Sequence, residues 1–247
     1  MSGKLSGQNR VSLDELQRFQ VPAQTESYVP LPHYDMAMNL QTVATDMFTP
    51  KGYVFVKGEY ATARDGQRVF GVLQFKNGIT DMGMAVGFRN SYDRSMSAGV
   101  VIGAQVFVCD NMCFRGEITV MRKHTKNIIE GLQTELVAAI YSSVGNFELI
   151  HTELERLKTV EISDEFGFRT LGSLAGNEVL TPTELNEAFR QWKEPQYESF
   201  KPRTAYSLYN AVTCGLRDIA PHRTFQVHRD VHEAIIAEYL PPAPSAN

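Results

Sequence analysis

Polar and apolar positions alternate with one period in the first half of the chain and with another in the second. From Tyr53 to Thr62 and from Arg68 to Lys76 the pattern is that of strands, and Asp65-Gly66 between them is a strong short hairpin signal, since both turn positions call for positive φ. A two-residue turn there predicts that Tyr60 pairs with Gly71 and Val56 with Phe75. Met82, Met84, Val86 and Phe88 alternate with Gly83, Ala85 and Gly87, which predicts a strand with one bulky and one bare face. Ser97 to Val108 is nearly continuous apolar sequence and reads as a central strand. A turn at Asp110-Asn111 would lead into a fifth strand, Phe114 to Met121, with Phe107 opposite Phe114.

After Thr125 the period becomes helical. Ile128, Ile129, Leu132, Leu136 and Ile140 fall on one face, and Phe147, Ile150, Leu154 and Leu157 mark the next helix. Thr181-Pro182-Thr183-Glu184 is a capping box with proline at the first helical position, and Leu185, Ala188, Phe189 and Trp192 follow at helical spacing. Two further helices are expected at about 204–218 and 227–240. The fold class is therefore α+β, with a mostly antiparallel five-stranded sheet (about 53–121) followed by a helical half (about 125–240). Residues 1–32 read as an arm whose Ser12-Leu13-Asp14-Glu15 capping box starts a short helix. A helix over about 34–47 opens a single domain spanning 33–240, with its sheet half at 51–124 and its helical half at 125–240. The Pro-rich tail, 241–247, reads as disordered.

Composition adds little to this layout. Hydrophobic content of 43% with 21% charged residues is ordinary for a globular chain. There is no run of eighteen apolar residues and no apolar signal core after Met1, and three cysteines are too few for a disulfide scaffold. The expectation is a cytoplasmic protein of the host cell with no membrane partner. Charge is more telling. From Lys51 to Lys126 eleven Lys or Arg stand against six Asp or Glu, whereas from Glu148 to Glu198 five stand against eleven. A basic sheet half suits an anionic partner.

Three polar knots interrupt the β region: Asn90-Ser91-Tyr92-Asp93-Arg94-Ser95, Cys109-Asp110-Asn111 and Arg122-Lys123-His124-Thr125. Strand-end polar residues tend to gather along one sheet edge, and the reading expects these knots to meet as one positively charged rim. Arg89, Arg94, Arg115, Arg122, Lys123 and Lys126 are candidate phosphate contacts, with His124 beside them. Tyr92, Phe88 and Phe114 are candidate stacking surfaces for unpaired bases. Asn90, Ser91, Asp93, Asn111, Thr125 and Asn210 are assigned structural roles, with Asn210 reaching from its helix to the Asn111 turn.

Other chemistries fit less well. Asp93, Asp110 and Glu117 would need to converge to hold Mg²⁺ for phosphodiester cleavage, and no Asp-x-Asp or Glu-x-Lys spacing supports them. Cys109 and Cys113 lack a second pair, and Cys214 stands alone. His228 and His232 are spaced i,i+4 near His222, which a solvated helix face also explains. A Cys109 thiol activated by His124 is the remaining nucleophile reading. No cofactor is called for, and binding is favoured over catalysis.

Asn90-Ser91-Tyr92-Asp93-Arg94-Ser95, Val108-Cys109-Asp110-Asn111-Met112, Lys123-His124-Thr125 and Tyr209-Asn210-Ala211-Val212-Thr213 occur in that order. Together they resemble the phage/plasmid-like protein family classed as domain of unknown function 932, over roughly 54–216. The family pattern has a small residue where Arg94 stands and Arg where Lys123 stands. The resemblance implies a mobile-element origin, often beside replication, recombination or anti-host genes, and carries no established activity. The expected function is nucleic-acid binding by an oligomer, with single-stranded DNA favoured, of a single-strand binding or annealing type. The alternatives are an anti-defence protein acting on a host protein and a metal-dependent phosphodiesterase.

Overall fold

The computed structural model describes residues 10–26, 28–78, 82–106, 111–114, 119–120, 128–217, 219 and 221–240. Among them are one antiparallel sheet and six α-helices, one before the main run of strands and five after it, an α+β architecture. The strands are β1 (Arg10–Val11), β2 (Val54–Ala63), β3 (Arg68–Lys76), β4 (Met82–Ser91), β5 (Gly99–Val106), β6 (Asn111–Phe114) and β7 (Thr119–Val120). They lie in the order β1-β2-β3-β4-β5-β6, with β7 also pairing β5. The fifth expected strand is thus two short pieces along β5, and the two-residue β1 extends the opposite edge.

Local chemistry explains the hairpin. Asp65 and Gly66 take φ of 53° and 82°, and the Gln67 amide donates to the Arg64 carbonyl at 3.0 Å, which closes a two-residue turn of the I′ kind. Tyr60 pairs with Gly71 as the turn requires. Farther along, a register shift between Phe55 and Lys57 makes Phe55, and not Val56, the partner of Phe75. Val56 is the extra residue of a bulge, in the part of β2 that β1 does not cover, where a local kink costs little pairing. At the other end Phe114 pairs with Gly103 and Asn111 with Val106, so Phe114 does not have the partner expected for it. The residues between β5 and β6 are 107–110, outside the described set, and Asn111 is already in the strand.

The helices are α1 (His33–Phe48), α2 (Ile128–Leu157), α3 (Asp164–Gly176), α4 (Pro182–Lys193), α5 (Ala205–Gly215) and α6 (Pro221–Tyr239). The two helices expected between 128 and 157 are one. Tyr141-Ser142-Ser143-Val144-Gly145-Asn146 is poor helix-forming sequence, but it holds no proline, and Leu136, Ile140, Phe147, Ile150, Leu154 and Leu157 stay in phase across it, all buried. Helix α3 was not expected. Ser163 caps it, accepting from the Phe166 amide, and Gly167, Thr170, Leu171 and Leu174 form its buried face. Ser12 and Glu15 make the reciprocal bonds of the expected capping box, but they close only a 3-10 turn over Asp14–Arg18. The tail, 241–247, lies outside the described residues.

The core fills one face of the sheet. Val69, Leu73, Phe75, Met84, Val86, Phe88, Val100 and Ile102 pack there with α1, α2 and α5. The second face has a smaller cluster of Ala61, Phe70, Val72, Ala85, Val101 and, from α6, Phe225. The bare face of β4 does receive a close neighbour: a Cβ on Gly87 would sit 2.4 Å from the Phe225 ring. Arg223 of α6 reaches the buried Glu184 of α4 at 2.7 Å, while Glu184 also closes the Thr181 capping box.

Helix α5 crosses α4 at Gly215, where a Cβ would lie 2.6 Å from the Glu184 carbonyl oxygen, a backbone atom that cannot swing aside. Gly215→Ala is therefore expected to cost about 1–3 kcal/mol in urea unfolding. A midpoint equal to wild type would show that the two helices slide apart without penalty.

Candidate nucleic-acid interface

Register places the first two knots apart. Ser91 ends β4 opposite Arg68, beside the Asp65-Gly66 turn, whereas Asn111 opens β6 opposite Val106, which pairs with Met82 at the far end of β4. Nine residues of extended strand separate the ends, on the order of 30 Å. The single rim expected for all three knots is therefore not formed, because β5 carries the chain across the sheet before Asn111 is reached. Arg115, Arg122, Lys123, His124, Thr125 and Lys126 lie outside the described residues, as do Cys109, Asp110 and Glu117.

The first knot is a clasp. Its centre is His33, fully buried at the start of α1. The Tyr92 ring stacks on it with centroids 3.7 Å apart and planes at 7°, and the His33 amide donates to the Tyr92 hydroxyl at 2.9 Å. His33 Nε2 lies 3.0 Å from the Gly66 carbonyl, an acceptor, so Nε2 carries a proton. Nδ1 then accepts from Asn90 Nδ2 at 3.0 Å, and the same amide donates to the Leu31 carbonyl at 2.7 Å. The Tyr92 amide donates to the Gln67 carbonyl at 2.7 Å, and the Tyr28 hydroxyl donates to the Ser91 carbonyl at 3.3 Å. Ser91 Oγ donates to the Met96 carbonyl at 2.7 Å. The clasp thus ties the arm, the hairpin turn and the end of β4 together.

These contacts change what the knot can do. Tyr92 is 4% exposed, and burial pushes its hydroxyl up to about 12. It does not offer a ring to a base, because one face is already stacked on His33. Phe88 is wholly buried in the main core, where its aromatic surface has other neighbours, and it also offers none. Asp93 pairs with Arg68 at 2.8 Å and accepts from the Ser95 amide and hydroxyl. Desolvation raises its carboxyl, but the Ser95 bonds and the Arg68 charge outweigh this and hold it below the ordinary carboxylate value. Asp93 is thus engaged as an ion-pair partner.

Arg94 adopts φ of 59°, a left-handed conformation glycine takes without strain, and its guanidinium lies over the Tyr28 ring at 4.3 Å. Asn210 is buried on α5, which packs against β6, and its Nδ2 donates to the Tyr206 carbonyl at 2.9 Å.

Arg89 is different. It is half-buried on the second face of the sheet, between Phe70 and the bare Gly99, and its Nε is buried with no hydrogen-bond partner among the described residues. Burial alone lowers its pKa. Around the hairpin end stand Arg64, Arg68, Arg89 and Arg94 against Asp65 and Asp93, an excess of positive charge.

Among the described residues no group of three metal-ligating side chains converges. His228 and His232 are buried rather than on a solvated helix face. His232 Nε2 meets Glu153 Oε2 at 2.9 Å and its Nδ1 meets the Tyr209 hydroxyl at 3.3 Å, a network that joins α2, α5 and α6. Neither this network nor His33 was found from sequence, because their partners are 23 to 79 residues apart. Gln74, a polar residue inside the apolar run Val72-Leu73-Gln74-Phe75, did carry a local signal. No helix among the described residues is long and apolar enough to cross a membrane. No family model, curated protein or solved structure matches the chain.

Proposed function

We propose that the protein binds the phosphate backbone of nucleic acid through the hairpin end of its sheet, with Arg89 as the central contact. One observation carries this reading: a half-buried guanidinium whose inner nitrogen has no partner. Buried cations are normally paired, since desolvation is costly without a compensating anion. The planar fork of an arginine fits a phosphate. Arg64 and Arg94, both exposed at the same end, add to the local field. The resemblance to a phage/plasmid-like family supports the same reading, since such genes often sit beside replication and recombination functions. A sheet feeding a long helix is also compatible with single-strand annealing proteins, an analogy of fold alone.

Single-stranded DNA is the favoured ligand and a homo-oligomer the favoured state. Helix α2 exposes Val137, Tyr141 and Leu149, an apolar surface suited to self-association, and light scattering reads the mass.

Labelled single- and double-stranded oligonucleotides titrated at two salt concentrations test the proposal. Arg89→Gln is expected to weaken binding and to make the salt slope shallower by about 0.7–0.9, one released counterion. Equal affinity and equal slope in the variant would remove Arg89 from the interface. A chain that binds neither DNA nor RNA would favour action on a host protein instead.

A further inference from the structure

The buried apolar cluster on the second face of the sheet ends at Phe70 of β3, and beyond it the face opens to solvent. Arg68 of β3, Arg89 of β4 and Ala63 of β2 are only half-buried there. Register sets the two arginines side by side. Arg68 stands opposite Ser91 and Phe70 stands opposite Arg89, so the two guanidinium-bearing chains are diagonal neighbours on one face. Such a diagonal is about 7–8 Å, within reach of long side chains. Their outer neighbours are small, Ala63 opposite Arg68 on β2 and Gly99 opposite Arg89 on β5. The Ser91 hydroxyl is turned onto the Met96 carbonyl.

Neither guanidinium is used up by the fold. Asp93 accepts from the Nε of Arg68, and no other hydrogen bond is made to that guanidinium among the described residues. Arg89 makes none among them, and only its inner nitrogen is sealed off from solvent. Two like charges on neighbouring strands repel, and Asp93 offsets one of them. The anion that fits this pair must offer oxygens and charge to both. A phosphodiester inside a strand has two unesterified oxygens and a single charge. A terminal phosphomonoester has three such oxygens and close to two charges, enough for two planar forks at once.

We propose that the hairpin end of the sheet holds the phosphorylated end of a strand, its terminal phosphate bridging Arg68 and Arg89. The inference rests on the phosphate-binding reading above and adds that strand ends are preferred to strand interiors. A 5′-phosphate and a 3′-phosphate share this chemistry, and the test separates them.

Internally labelled dT10 carrying a 5′-phosphate, a 3′-phosphate or neither is titrated against wild type, Arg68→Gln, Arg89→Gln and Asp93→Asn. Wild type is expected to bind one phosphorylated form about tenfold more tightly than the unphosphorylated strand, the worth of one added charge-assisted bond. Preference for either end sustains the site and identifies which end it takes. Arg68→Gln and Arg89→Gln should each abolish the preference. Asp93→Asn removes the carboxylate that competes for Arg68 and keeps an acceptor for Ser95. It should widen the preference, a gain that damage to the fold does not produce. No preference in wild type, a preference that survives Arg68→Gln, or one that Asp93→Asn abolishes overturns the inference. If Arg89→Gln still weakens the unphosphorylated strand in that case, the phosphate-binding proposal stands without it.

Discussion

Replacing Tyr92 with alanine is expected to lower the unfolding free energy by about 3–5 kcal/mol, the cost of removing a buried ring. The ring is stacked on His33 and its hydroxyl accepts the first amide of α1, so the loss falls on three segments at once: the arm from Tyr28 to Pro32, the Asp65-Gly66 turn and the end of β4. Tyr92→Phe keeps the stack and removes only the acceptor, and about 1 kcal/mol is expected. Urea unfolding of both variants, with oligonucleotide affinity measured on the folded fraction, separates the two roles once open to this residue. If Tyr92→Ala unfolds like wild type but loses affinity, the ring serves the ligand and the clasp is incidental.

The second large effect is expected at the Glu153–His232–Tyr209 network. His232→Leu takes from a largely buried carboxylate its imidazole partner, 2.9 Å away, and about 3 kcal/mol of stability is expected to go with it. Converting both residues to leucine removes the carboxylate together with its imidazole partner. The double variant should therefore recover at least about 1 kcal/mol over the sum of the single losses. Additivity within about 0.5 kcal/mol would mean that the pair is held by packing alone.

Features that depend on near neighbours in the chain were legible. Asp65-Gly66 dictates the turn because few residue pairs tolerate positive φ twice, and the hairpin register follows up to Val56. The Thr181 capping box and the bulky and bare faces of β4 are likewise local patterns, and both occur in the structure. Misreadings came where a local signal conflicted with packing. The Ser-, Gly- and Asn-rich middle of α2 suggested a break, yet the continuous apolar stripe keeps one helix intact. The Asp110-Asn111 pair looked like a turn, yet Asn111 already lies in β6.

The candidate site was only partly legible. Arg89 was visible as one strand-end cation among several, but nothing in the chain distinguished it from Arg68, which pairs with Asp93, or from Arg94, which lies on Tyr28. That distinction needs the partners, and the partners come from other segments.

By itself the sequence determined the α+β layout, the hairpin, the two-faced β4 and the basic character of the sheet half, since periodicity, turn chemistry and charge act over a few residues. Only the tertiary structure decided which polar groups are engaged and which are spare. Desolvation and hydrogen bonding depend on what the fold brings alongside, so His33 silences Tyr92 from 59 residues away, while no acceptor is brought alongside the buried Nε of Arg89.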